Sequence, residues 1–123
     1  MKRIIIIICL VLMLVGCKEK EKKVETRGTI LPVTCSKALD LERDGAIIVD
    51  VREKDEYDED HLENAINIPY TVIDKEIGKY VDDFDSEIIV YCRSGKRSNA
   101  AANTLLEAGY KNIYDLGSIS NCS

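Results

Sequence analysis

Glu87-Ile88-Ile89-Val90-Tyr91-Cys92-Arg93-Ser94-Gly95-Lys96-Arg97-Ser98 decides how this chain is read. Its first half is short and almost wholly apolar, the pattern of a strand covered on both faces. Its second half surrounds one cysteine with cations and a glycine, and the segment from Ser98 to Ala108, rich in Ala and Leu, reads as a helix. Cys92 is therefore expected in a tight loop between a strand and a helix. Backbone N–H groups converge at the start of a helix, where they and the helix dipole favour negative charge. Arg93, Lys96 and Arg97 add formal positive charge, which predicts that the Cys92 thiol ionises more readily than a free one.

Outward from this segment, from Gly28 on, apolar runs alternate with amphipathic ones, which predicts an α/β fold with a mainly parallel central sheet flanked by helices. A first strand is expected near Thr29 to Leu31, and Thr34 or Ser36 caps a short helix through Leu41. Ala46-Ile47-Ile48-Val49-Asp50 is the next strand, apolar up to its carboxylate end, and Glu53 to Glu59 is an exposed helical turn or two. Ala65 to Ile68 is a third strand stopped by Pro69. Thr71 to Val81 reads as a helix with Val72, Ile73, Ile77, Tyr80 and Val81 on or near its inner face. A last strand runs from Asn112 to Leu116, and Gly109 fits the position that ends the preceding helix. Ligands of open parallel sheets gather at the carboxyl ends of the strands. Asp50 and Cys92 both stand at or just past such an end.

The 123 residues suit one domain, and the first 27 are unlike a folded core. Met1-Lys2-Arg3 precedes an apolar stretch of twelve residues, Ile4 to Val15, long enough for a signal peptide and short of the roughly 20 residues of a membrane span. Leu14-Val15-Gly16-Cys17 resembles the lipobox of bacterial lipoproteins, in which the cysteine is lipidated and becomes the N-terminus. The expected organisation is a signal peptide over 1–16, a charged tether over 17–27 and one domain over 28–123, carried as an extracytoplasmic, membrane-anchored lipoprotein. An uncleaved anchor or an ordinary signal peptide cut nearby are the other readings. Removing residues 1–16 leaves 15 basic against 22 acidic residues, a net charge of −7, and no basic patch lies outside the cysteine loop. Nucleic-acid binding is not expected. Of five cysteines, Cys9 leaves with the signal and Cys17 carries lipid, so Cys35, Cys92 and Cys122 keep free side chains. A disulfide between Cys35 and Cys122 and a resolving role toward an oxidised Cys92 are both open. No Cys/His spacing suggests zinc, and no metal or cofactor is expected.

Three ordered motifs go further than composition. Asp50-Val51-Arg52-Glu53 with Tyr57, the Asp60-His61-Leu62-Glu63-Asn64-Ala65-Ile66-Asn67-Ile68-Pro69 element, and the loop Cys92 to Ser98 resemble the signatures of the single-domain rhodanese family. With Leu116-Gly117, the resemblance covers nearly all of residues 29–117. It implies a rhodanese-like fold and sulfur transfer through a cysteine persulfide. Cys92 thiolate attacks the outer sulfur of a small anionic donor such as thiosulfate, sulfite leaves, and the sulfur passes to cyanide or a thiol. Arg93, Ser94, Gly95, Lys96, Arg97 and Ser98 then form the substrate-binding loop, and Asp50 and Arg52 brace it in place of being an ordinary surface ion pair. His61 is expected to hold a turn, not to act as a base, and Tyr57 and Tyr70 to pack.

The chain also departs from the family. Asp60, Glu63 and Asn64 replace the Gly, Pro and Gly common beside the histidine, and Asp and Asn tolerate left-handed backbone best among such replacements. Ser118 replaces a second Gly, and Cys122-Ser123 stands where the family continues toward an aromatic residue and a short helix, which predicts a less complete wall on one side of the site. A cysteine phosphatase or arsenate reductase is the competing enzymatic reading. Such loops commonly place Arg at the position held here by Ser98, and Arg97 comes one residue early. A tethered sulfur- or redox-sensing or docking module is the non-enzymatic one. A monomer is expected.

Overall fold

The computed structural model describes residues 27–123. The expected signal peptide, the lipidation site Cys17, and the tether up to residue 26 lie outside the described residues. The alternating apolar runs form five strands: β1 (Thr29–Pro32), β2 (Ile47–Asp50), β3 (Ile66–Asn67), β4 (Glu87–Cys92) and β5 (Asn112–Ser118). All pairings are parallel, in the order β1-β5-β4-β2-β3. β4, the most apolar run, is central, with Asp50 of β2 opposite Tyr91 and Ser118 of β5 opposite Cys92. The carboxyl ends of these three neighbours form one edge.

Helices α1 (Cys35–Arg43), α2 (Lys54–Glu59), α3 (Ile73–Glu76) and α4 (Lys96–Glu107) connect the strands. Thr34 starts α1 as expected, its side-chain oxygen accepting the Lys37 N–H at 3.2 Å. Gly109, at φ 109°, ends α4 in the left-handed region. Strand alternation splits the core in two. Val49, Ile88, Val90 and Cys92 pack beneath Ala101, Ala102 and Leu105 of α4 and Ile73 and Ile77 around α3. Ile48, Ile89 and Tyr91 face the other way, against Ala38 and Leu41 of α1 and Leu116. Neighbouring residues Tyr91 and Cys92 thus serve opposite faces of the sheet.

Three expectations are corrected. The helix over 71–81 is broken into 3-10 turns at Tyr70–Val72 and Ile77–Lys79 around the four-residue α3. Its β-branched start, Thr71-Val72-Ile73, and Gly78 both weaken an α-helix, and i→i+3 bonds replace it, from Val72 N–H to the Pro69 carbonyl at 3.0 Å and from Tyr80 N–H to that of Ile77 at 2.9 Å. Tyr80, expected inside, is turned out and half exposed. α4 begins at Lys96, two residues early, because Gly95 takes φ 97° and admits the helix at once. β5 continues past Leu116 to Ser118 after a register shift beside Val90 and Tyr91.

The C-terminal 3-10 turn (Ile119–Cys122) returns to the start of α1, where Cys122 and Cys35 form a disulfide with Cα atoms 5.2 Å apart. That closes the open alternative: Cys35 and Cys122 are bonded to each other, and Cys92 is the free cysteine among the described residues. No helix among the described residues is long and apolar enough to cross a membrane.

Candidate active site

Cys92 is the last residue of β4, fully buried, and its sulfur lies at the entrance to α4. The first N–H groups of a helix have no partner within it. Gly95, the N-cap, has no side chain to offer them, and the Cys92 sulfur fills that place by accepting the Gly95 N–H at 3.0 Å. Burial pushes the thiol up. The Ser98 N–H and hydroxyl and the N–H groups of Gly95 and Ser94 outweigh that, so the Cys92 pKa lies below the ordinary thiol value. The buried Ser98 hydroxyl also reaches the Gly95 carbonyl at 3.1 Å, and with one proton it serves one of the two acceptors at a time.

The expected lowering is therefore present, but its leading source is hydrogen bonding from the loop, not the charges of Arg93, Lys96 and Arg97. Arg93 and Lys96 are exposed, and among the described residues neither forms an ion pair. Arg97 grips Glu56 of α2 in a bidentate pair, at 2.6 and 3.0 Å. This pair holds the Glu56 carboxyl down at about 2 and raises Arg97, to which a Cys92 thiolate also contributes. The seven residues Cys92 to Ser98 thus come together as one cradle, with Arg97 tying it to α2.

Asp50 and Arg52 sit apart from the sulfur. Asp50 is fully buried on the α1 face beside Tyr91, and the pair is no surface bridge. Its carboxylate accepts the Arg52 backbone N–H at 2.9 Å, the guanidinium Nη2 at 2.7 Å and Nε at 3.0 Å, and the Tyr91 hydroxyl at 2.8 Å. Arg52 donates onward to the Asp60 carbonyl at 2.6 Å, and the Tyr91 oxygen accepts the Leu62 N–H at 3.1 Å. Burial, with the Asp50 carboxylate adding to it, raises the Tyr91 hydroxyl well above its usual range, and the hydrogen bond to Asp50 raises Arg52. The network thus secures the 60–62 turn directly, joins β4 through Tyr91, and sets the Arg52 charge near enough to act on Glu56 and Arg97.

His61 lies in that turn, its ring stacked on Tyr57 at 3.8 Å and its Nδ1 2.7 Å from the Tyr57 carbonyl, so Nδ1 carries the proton. Tyr57 does more than pack: its hydroxyl donates to the Ala65 carbonyl at 2.6 Å. Asn64 takes φ 66°, the left-handed geometry that the family's glycine would supply.

Three residues of the site were missed by sequence reasoning. Tyr91 reads as one more apolar strand residue, and only its register opposite Asp50 exposes its role. Glu56 stands three residues after Glu53, a helix-start spacing, but its partner Arg97 lies 41 residues away. Ser118 donates to the Arg93 carbonyl across 25 residues. Among the described residues no cluster of His, Cys, Asp or Glu is arranged to hold a metal ion.

Known proteins resemble the chain in sequence and in fold. Thiosulfate sulfurtransferase PspE of Escherichia coli is 33% identical over 73 residues, spanning 59% of this chain and 70% of that protein. Thiosulfate sulfurtransferase GlpE of Coxiella burnetii is 35% identical over 72 residues, spanning 57% of this chain and 64% of its own length, just under two thirds. Among solved structures, a rhodanese with anions from E. coli superposes with a TM-score of 0.61 at 31% identity, covering 63% of this chain and 91% of that one. Human single-domain sulfurtransferase TSTD1 shares the fold, with a TM-score of 0.63 at 19% identity over 79% of this chain and 95% of that one. The Rhodanese-like domain family matches residues 34–121. Because that match runs from the cap of α1 through the cysteine cradle to the C-terminal turn, the chain belongs to the rhodanese-like family.

Proposed function

We propose that the protein is a sulfurtransferase that carries sulfane sulfur on Cys92. The observation that carries this reading is the buried Cys92 sulfur at the head of α4, accepting the Gly95 N–H at 3.0 Å and without a bulky side chain at Gly95. Such a cradle stabilises a single anionic sulfur. In the first step the thiolate attacks the outer sulfur of thiosulfate, the S–S bond of the donor breaks with its electron pair going to sulfite, and Cys92 is left as a persulfide anion. In the second, cyanide or a thiolate takes the outer sulfur and the Cys92 thiolate returns. No external oxidant enters either step. Arg93 and Lys96 attract the donor anion, while Ser94, Gly95, Arg97 and Ser98 shape the cradle. Asp50 and Arg52 hold the neighbouring 60–62 turn, in which His61 is fixed against Tyr57.

The phosphatase reading is weaker, since a buried serine occupies position 98, where such a loop needs a guanidinium. The proposal extends to place and state: a monomer, held by lipid on Cys17 outside the cytoplasm. The Cys35–Cys122 disulfide suits an oxidising compartment.

Initial rates of thiocyanate formation from thiosulfate and cyanide, measured on the full chain in mild detergent, test the proposal. A double-displacement cycle gives parallel reciprocal plots and no turnover in Cys92→Ser. Intersecting lines, or turnover that survives in Cys92→Ser, would refute it.

A further inference from the structure

The Arg93–Ser94 peptide is held from outside. Its carbonyl accepts the Ser118 hydroxyl, and two residues on in the same loop the Gly95 N–H donates to the Cys92 sulfur at 3.0 Å. A trans peptide is a rigid plane, so fixing the Arg93–Ser94 plane restricts the loop that presents the Gly95 N–H. The Ser118 proton is committed to this task. Its oxygen accepts the Ser120 N–H at 3.1 Å and stands 2.7 Å from the Ser120 hydroxyl, which is then the donor to it. Ser118 itself pairs opposite Cys92 in the sheet, Asn121 ties the turn back by donating to the Leu116 carbonyl at 2.8 Å, and the Cys35–Cys122 disulfide anchors its end. A short C-terminal segment thus closes the wall that the sequence leaves in question.

We infer that Ser118 is a positioning residue, whose hydroxyl holds the Arg93–Ser94 peptide and with it the loop that brings the Gly95 N–H to the Cys92 sulfur. The consequence for turnover rests on the sulfur-transfer reading, whereas the effect on the sulfur does not. A glycine at this position, as the family commonly has, leaves the peptide free to rotate, and the Gly95 donor to the thiolate or persulfide is no longer held in place.

The test follows alkylation of Cys92 by iodoacetamide against pH in the full chain, read by mass spectrometry on the peptide that bears Cys92. Ser118→Ala, Ser118→Gly and Ser118→Thr are compared with the parent, with circular dichroism melting in parallel. Loss of one hydrogen bond to a charged sulfur corresponds to about a tenfold loss of thiolate below the thiol midpoint. Ser118→Ala and Ser118→Gly are expected to react about tenfold more slowly there and equally fast once the thiol is fully ionised, with parental melting. Ser118→Thr, which keeps the hydroxyl, is expected to restore the parental profile. If Ser118→Ala fails to fold, Ser118→Gly carries the comparison. Parental profiles in both, or a Thr variant as slow as the Ala variant, would overturn the inference. Thiosulfate loading of the parent, followed in the same preparations, separates the two claims. A parent that takes up no sulfur while Ser118→Ala shows the shift contradicts the transfer reading and supports the positioning role.

Discussion

Asp50→Asn removes a charge without removing volume, and the burial of its partners sets the size of the effect. The carboxylate is fully buried and Arg52 is 6% exposed, so water cannot replace what the guanidinium loses. Four donors converge on Asp50: the Arg52 backbone N–H, its Nε and Nη2, and the Tyr91 hydroxyl. Leaving one member of a buried ion pair uncompensated costs about 3–5 kcal/mol, a large part of the roughly 5–15 kcal/mol that holds a domain folded. With a urea slope of about 2 kcal/mol per molar, the unfolding midpoint falls by about 2 M at unchanged slope. The double variant Asp50→Asn/Arg52→Met removes the stranded charge and is expected to recover more than about 1 kcal/mol of that loss, as replacement of a whole buried pair often does. Because Asp50 faces α1 and the sulfur faces α4, folded Asp50→Asn keeps the parental Cys92 alkylation profile. A single variant within about 1 kcal/mol of the parent, or a double variant less stable than the single, would show that Asp50 and Arg52 are not a desolvated, mutually dependent pair.

Removing the Cys35–Cys122 disulfide with paired serines opens a loop of 87 residues, which by loop-closure entropy costs about 4–5 kcal/mol, read by urea denaturation beside the reduced parent. The Glu56–Arg97 pair is expected to couple by about 1 kcal/mol in a double-mutant cycle at neutral pH. Its Glu56 pKa is depressed on folding from 4.5 to about 2, so the coupling is complete above about pH 4.5 and disappears as the pH falls through about 2. A coupling unchanged at about pH 1.5 would contradict the assignment. Ser98→Ala removes a hydroxyl from the sulfur while leaving the backbone N–H, and is expected to move the Cys92 alkylation midpoint upward, with several-fold slower reaction below it.

The sheet was legible because its signal is local: unbroken runs such as Ile88 to Tyr91 are short, rich in β-branched residues and end in a polar or reactive residue, which favours strands covered on both sides. The cysteine cradle was legible for the same reason, since strand, glycine and helix are consecutive in the chain. The pattern over Thr71 to Val81 misled because its apolar spacing fits a helix while its β-branched residues and Gly78 resist one, and burial of Ile73 and Ile77 is reached equally well through 3-10 turns. Charges near Cys92 suggested electrostatics, yet hydrogen bonds lead there, because a residue type announces its charge and conceals where its backbone points. Arg97 with Glu56, Tyr91 with Asp50, and Ser118 with the Arg93 carbonyl are 25 to 41 residues apart in sequence. They become visible only when register is known.

Whether Cys92 carries the sulfur is read from intact mass. The full chain is incubated with thiosulfate, freed of excess donor, weighed beside Cys92→Ser, and then given cyanide. The parent alone is expected to gain one sulfur atom, discharged by cyanide as a stoichiometric amount of thiocyanate. A folded parent that gains nothing, or a Cys92→Ser variant that gains as much, would contradict sulfur transfer through Cys92.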